Sequence, residues 1–164
     1  MEGTVTNVSD GDTLKLTTEE GTALKVRLYG IDAPELERIN RKTGKVAKPG
    51  QPYGDDAWQA LRSKVLRHKV QLDIMDIDRY KRSVGIVSLN NRNINLELIK
   101  EGYGWAYTEY LKRPYASEFI DAEKEARASR LGLWQQSNPQ PPWEFRKLSK
   151  KPARSARSWW GDLL

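Results

Sequence analysis

Residues 4–30, TVTNVSDGDTLKLTTEEGTALKVRLYG, decide the fold class. Leu14 and Leu16 alternate with polar neighbours, and so do Leu24, Val26 and Leu28, the period-two pattern of strands with one face in a core. Asp10-Gly11-Asp12 and Glu19-Glu20-Gly21 consist of residues that favour turns, so the stretch reads as three short antiparallel strands. By the same parity Arg27 points away from the face made by Leu24, Val26 and Leu28, toward solvent or a ligand.

Further along, Val70, Leu72 and Ile74 alternate as a fourth strand, and residues 84–89 form a fifth. Residues 90–93, Asn-Asn-Arg-Asn, make a turn, because Asn tolerates left-handed backbone. Residues 53–69 carry Ala57, Leu61 and Val65 at helical spacing, with Asp55 and Asp56 in the first turn and Arg67, His68 and Lys69 in the last. The helix dipole alone therefore accounts for the single histidine. Two shorter helices follow over about 94–101 and 116–130, stopped by Gly102 and Gly132. Five strands and three helices give an α+β fold built on a small barrel. That domain spans residues 1–137, and residues 138–164 form a Pro-containing linker and a basic, Trp-containing tail.

The net charge is +6, but residues 145–164 hold six Lys and Arg against one acid, Asp162, and so carry nearly all of it. The charge favours phosphate-rich partners in general and identifies no chemistry. With no Cys, thiolate metal sites, thiol nucleophiles and disulfides are excluded, and one His excludes multi-His metal sites. No apolar run reaches the roughly 18 residues of a membrane-spanning helix. Strand-like sequence begins at Thr4, ahead of which no signal peptide is visible. The chain is expected either in the cytoplasm or, if a signal peptide has been removed, as a secreted or periplasmic protein.

Three segments carry candidate chemistry. They are Asp10-Gly11-Asp12-Thr13, Arg27-Leu28-Tyr29-Gly30-Ile31-Asp32-Ala33-Pro34-Glu35 and Asp78-Arg79-Tyr80-Lys81-Arg82. Taken singly, the first is a turn, the second a strand-to-loop junction and the third a solvated charged turn. Together they supply the parts of a phosphodiesterase. Asp12 and Asp32 offer hard oxygen ligands to a divalent cation, and a nearby Glu can orient or deprotonate a water. Two arginine forks match the oxygens of a phosphate on which charge grows. Residues 36–52 add a long basic loop with Arg38, Arg41, Lys42, Lys45 and Lys48.

In order and spacing these segments resemble the staphylococcal (micrococcal) nuclease family, as does Leu131-Gly132-Leu133-Trp134 after the last helix. The resemblance covers roughly residues 3–135. It implies a five-stranded OB-fold barrel with three helices and a Ca2+-dependent nuclease acting on DNA and RNA, single strands preferred, that leaves 3′-phosphate ends. On that likeness Asp12, Asp32 and the backbone carbonyl of Ala33 hold calcium, Glu35 is the base or the water-orienting group, and Arg27 and Arg82 clamp the phosphate. Arg79, Tyr80 and Lys81 would lie near substrate, and Tyr107 or Tyr110 would stack on it or donate to phosphate. Two positions depart from the family pattern. Ala33 replaces a Thr, which leaves the carbonyl available. Lys81 stands where a Gly usually precedes the clamp arginine; left-handed backbone there would strain Lys81 by about 1 kcal/mol or more. Such strain would re-aim Arg82, or Lys81 would itself add a phosphate contact.

Two other roles compete. A non-catalytic OB-like module would grip nucleic acid with basic loops and aromatics, but it has no use for carboxylates that repel a polyanion. The tail, with Trp159 and Trp160, would hold nucleic acid, a membrane surface or a protein, or would only solubilise the chain. The chain is expected to be a monomer.

Overall fold

The computed structural model describes residues 1–150; Trp159, Trp160 and the rest of the tail lie outside them. In chain order the strands are β1 (Glu2–Asp10), β2 (Thr13–Thr18), β3 (Ala23–Leu28), β4 (Ile31–Asp32), β5 (Arg38–Ile39), β6 (Val46–Lys48), β7 (Lys69–Ile77), β8 (Ser83–Leu89), β9 (Arg92–Asn93) and β10 (Trp105–Ala106). The helices are α1 (Gly54–Val65), α2 (Ile94–Lys100), α3 (Tyr115–Ala128) and α4 (Pro142–Lys150), with a 3-10 turn over Gly132–Gln135.

Five long strands hydrogen-bond in the order β3-β2-β1-β7-β8, and β3 then pairs with β8 to close the barrel. All the pairs are antiparallel except β3–β8, which is parallel with Arg27 opposite Val84. This is the closed α+β barrel expected of an OB-fold. Leu14, Leu16, Val26 and Leu28 fill its interior as their alternation requires, while Leu24 stays partly exposed at the rim. Ala57, Leu61 and Val65 of α1 are fully buried, and Leu61 and Val65 pack into the same core as Phe119 of α3.

Three details aim the site. A register shift between Val8 and Asp10 breaks the β1–β2 ladder and leaves Asp10, Gly11 and Asp12 at the sharp end of the hairpin. Gly11 is required there, because a Cβ would fall 2.7 Å from the Cβ atoms of both Ala33 and Ala57. Gly54, at the start of α1, is pressed so closely on the Glu35 carbonyl that a Cβ would lie 2.1 Å from it. Buried Asn95 closes the opposite side: its Oδ1 accepts from the Val87 amide, and its Nδ2 donates to the Tyr29 and Gly85 carbonyls.

The structure corrects the sequence expectation in three places. A fourth helix, α4, forms where the sequence reads as linker and tail. Pro142 suits the first helical position, and the Pro141 carbonyl accepts from the amides of Glu144 and Phe145. The basic 36–52 loop contains the β5–β6 hairpin, whose Ile39 and Val46 are exposed. Finally, α1 ends at Val65, so Arg67, His68 and Lys69 lie past its last turn and do not complement its dipole. The His68 ring is exposed, with Nδ1 3.0 Å from the Leu66 carbonyl.

Candidate active site

Asp12, Arg27, Asp32 and Glu35 come together at the mouth of the barrel. Arg27 leaves β3 outward, as strand parity requires, and folds back along the rim. Its Nη1 donates to the carbonyls of Leu28 (2.9 Å) and Ile31 (2.8 Å). From there the guanidinium lies 3.4 Å from Asp12 Oδ2 and 3.5 Å from Asp32 Oδ1. Asp12 also accepts from the Ala33 amide at 2.8 Å and from the Thr13 hydroxyl at 3.2 Å. Asp32 is held in β4 by pairing with Trp105 of β10, and its side chain is 1% exposed. The Gln51 side chain accepts from the Glu35 amide, while the Gln51 amide donates to the Glu35 carbonyl.

Two more cations complete the cluster, Lys48 from the basic loop and Arg146, which no sequence motif reveals. Arg146 of α4 spans both acids: its Nη1 and Nη2 reach Asp32 Oδ1 and Oδ2 at 3.0 and 2.8 Å, and its Nη1 also donates to Glu35 Oε1 at 2.7 Å. Lys48 of β6 reaches Glu35 Oε2 at 2.9 Å. Trp143, one turn before Arg146, anchors the helix by stacking on Tyr107 with ring centroids 5.5 Å apart and by an edge contact with Trp105 at the same spacing.

The electrostatics follow from crowding. Burial and the neighbouring Asp12 charge push the Asp10 carboxyl up to about 7. Burial works against ionised Asp12 as well, but Arg27 and the donors from Asp10, Ala33 and Thr13 outweigh it and hold Asp12 below the ordinary carboxylate range. Asp32 is raised by burial and by Asp12, despite Arg146 and Arg27. The Arg146 guanidinium is held more firmly protonated by Asp32 and Glu35 than burial alone would allow.

Oxygen donors crowded in this way fit a hard divalent cation, which would offset the burial and the mutual repulsion that raise the Asp10 carboxyl. Among the described residues no three acidic or His side chains stand ready-grouped as ligands. The oxygens of Asp32 and Glu35 are instead held by Arg146 and Lys48.

The other candidates form a second group on the β7–β8 turn. Arg82 Nε donates to Asp78 Oδ2 at 2.8 Å, and the guanidinia of Arg79 and Arg82 lie 5.0 and 5.4 Å from the centre of the exposed Tyr80 ring. Among the described residues the ion pair of Arg82 is with Asp78, and none joins it to Asp12, Asp32 or Glu35. Lys81 is exposed and has φ +63°, the left-handed backbone expected of a Gly at that position. Tyr107 and Tyr110 pack on each other with ring centroids 4.8 Å apart, Tyr107 beneath Trp143 and Tyr110 open to solvent. Ala33 contributes its amide to Asp12.

A closed five-stranded barrel with carboxylates and arginines gathered at its mouth defines an OB-fold acid–arginine site. The profile of the staphylococcal nuclease homologue family matches residues 25–136, and the chain belongs to that family. It is 36% identical over 159 residues to a micrococcal nuclease of Shigella flexneri, spanning 92% of this chain and 83% of that one. It is 35% identical over 146 residues to an uncharacterized endonuclease of Haemophilus influenzae, at 89% and 73% coverage. A probable staphylococcal-like nuclease of Oryza sativa subsp. japonica is 34% identical across 80% of this chain, which spans 32% of that longer protein.

Proposed function

We propose that this chain is a calcium-dependent endonuclease that hydrolyses phosphodiester bonds of DNA and RNA, preferring single strands and leaving 3′-phosphate ends. The observation that carries this is the convergence of Asp12, Asp32, Glu35 and Arg27 at one barrel mouth. Family membership and the nuclease names of its relatives support it.

Asp12 and Asp32, with the Ala33 carbonyl, would hold the cation, which supplies positive charge beside the scissile phosphate. Glu35, whose backbone is fixed on both sides by Gln51, takes the proton of the attacking water once Arg146 and Lys48 leave its oxygens. Arg27 is oriented by two carbonyls and lies against Asp12 and Asp32, so its guanidinium turns to phosphate oxygens as the cation takes up those carboxylates. Arg82 joins it after exchanging Asp78 for the substrate phosphate. Tyr80 with its flanking guanidinia, and Tyr110, offer faces to bases.

The test is cleavage of single-stranded DNA by the full chain with calcium, with magnesium and with chelator, for wild type and Glu35→Gln. Calcium-dependent cutting is expected, reduced at least about a hundredfold in the variant, with an unchanged unfolding transition. Undiminished turnover by Glu35→Gln would remove Glu35 from the chemistry, and cutting that persists in chelator would remove the cation.

A further inference from the structure

Arg146 lies outside every sequence motif of the site, yet it makes the tightest contacts in it. One guanidinium takes both oxygens of Asp32 and one oxygen of Glu35, at 2.7 to 3.0 Å. The Asp32 side chain is 1% exposed, and a carboxylate so buried needs a counter-charge to remain ionised. The helix that delivers this charge is not loosely placed. Trp143 stacks on Tyr107 and meets Trp105 edge-on. Pro142 starts the helix, and Gln51, which brackets Glu35, donates from its side chain to the Gln140 carbonyl just before it. A bidentate fork takes one lone pair on each Asp32 oxygen and sets a positive charge against them, so Arg146 and a metal ion compete for that carboxylate.

We infer that Arg146 is a built-in counter-ion that competes with the divalent cation for Asp32 and Glu35, so that the C-terminal helix α4 sets the cation affinity of the site. This rests on the assignment of Asp32 as a cation ligand. Without cation, Arg146 together with Arg27 and Lys48 offsets the charge of the two acids and α4 lies across the site, with Trp143 covering Tyr107. When cation binds, Arg146 releases Asp32 and its charge becomes available to the phosphate of a bound strand. Cation and nucleic acid thereby reinforce each other, because the cation takes the carboxylates from Arg146 and the phosphate takes Arg146 from the carboxylates. The apparent affinity for cation alone is lowered by the fraction of time the carboxylates are free; if that is one-tenth, the loss is about tenfold.

The experiment is isothermal titration of calcium into the full chain without nucleic acid, for wild type, Arg146→Met and Arg146→Lys, with thermal unfolding of each in chelator. Arg146→Met is expected to bind calcium about tenfold more tightly than wild type, and Arg146→Lys, a charge without a fork, to fall between them. In chelator the Met variant should unfold at lower temperature because Asp32 loses its nearer counter-ion and keeps only Arg27 at 3.5 Å, and saturating calcium should restore it. Equal or weaker calcium binding by Arg146→Met would overturn the competition, as would an unchanged unfolding temperature in chelator. Calcium binding by neither protein would overturn it together with the cation role of Asp12 and Asp32, which separates the two failures. If Arg146→Met does not fold without cation, the Lys variant decides: affinity no higher than wild type rejects the inference.

Discussion

Asp10 and Asp12 share one turn, and the Asp12 amide donates to Asp10 Oδ1 at 3.0 Å, so their carboxyl groups cannot escape each other. Asp10 carries the cost. Its carboxyl titrates near 7 in the folded chain against 3.8 as the ordinary value. The folded state therefore holds a proton that the unfolded state releases, and stability is lost as pH rises from about 4 through about 7. Asp10→Asn keeps the acceptor for the Asp12 amide and removes the second charge. It should stabilise the cation-free protein at pH 7.5 by about 1–2 kcal/mol, a value reduced from the full shift because the side chain is 26% exposed. At pH 4 it should do almost nothing. Urea unfolding in chelator at the two pH values checks this, and equal effects at both would reject the assignment. At this scale the sequence was informative where chemistry is local: Asp12, Arg27, Asp32 and Glu35 sit within two short motifs whose spacing already places them near one another. Arg146 is 111 residues from Glu35 along the chain, and no local pattern announces such a pair. The one available signal was Pro142 followed by Trp143, Glu144, Phe145 and Arg146, a helix start with aromatic anchors.

The β7–β8 turn shows how an element can carry a residue that its backbone disfavours. Asp78 anchors the turn: its carboxylate accepts from the amides of Tyr80 and Arg82, its carbonyl from the Lys81 amide, and its own amide donates to the Arg82 carbonyl. This closed set of bonds forces Lys81 to φ +63°. Lys81→Gly should relieve the strain and raise unfolding stability by about 0.5–1 kcal/mol, the strain released exceeding the entropy Gly adds to the unfolded chain. The gain should appear in the denaturant midpoint without a change of slope, and a loss of stability would show that the turn carries no strain there. The Asp78–Arg82 bond forms with the left-handed residue in place, so Lys81 does not take the arginine off its own turn's carboxylate. The hairpins among β1, β2 and β3 were legible because alternation and turn residues both lie in one short stretch. The parallel pairing of β3 with β8 was not, since its partners are separated by α1 and β7 and no periodicity encodes which edges meet. The fourth helix was hidden for the opposite reason: a Pro-rich lead-in gives the same composition before a helix as before a disordered tail.

Across the whole molecule, two charge clusters set opposite limits on stability. Away from the site, Glu97 of α2 accepts from Arg92 of β9 at 2.9 Å and from Lys64 of α1 at 2.6 Å, and Lys64 also reaches Glu101. Arg92 foremost, and then Lys64, hold the Glu97 carboxyl down to about 2 despite its partial burial. A depressed carboxyl contributes stability that is complete above its unfolded value near 4.5 and lost as pH falls toward about 2. Asp10 works in the other direction above about pH 4. The cation-free chain should therefore be most stable near about pH 4–5 and lose ground toward neutrality, an unusually acidic optimum. Glu97→Gln should cost about 1–2 kcal/mol at pH 7, discounted for the half-exposed Arg92, and should flatten the acid limb between about pH 4.5 and 2. Asp10→Asn should flatten the other limb. Saturating calcium should raise stability most at neutral pH, where the crowded carboxylates are ionised, and so move the optimum upward. Unfolding temperatures from pH 3 to 8, with chelator and with calcium, test all three statements together. A chelated wild-type curve that climbs steadily from pH 5 to 8 would sink the neutral-pH cost assigned to Asp10. An acid limb unaltered in Glu97→Gln would place the acid-sensitive interaction elsewhere than between α1, β9 and α2. The two limbs are independent because the clusters share no residue, so one variant failing leaves the other's outcome fully informative.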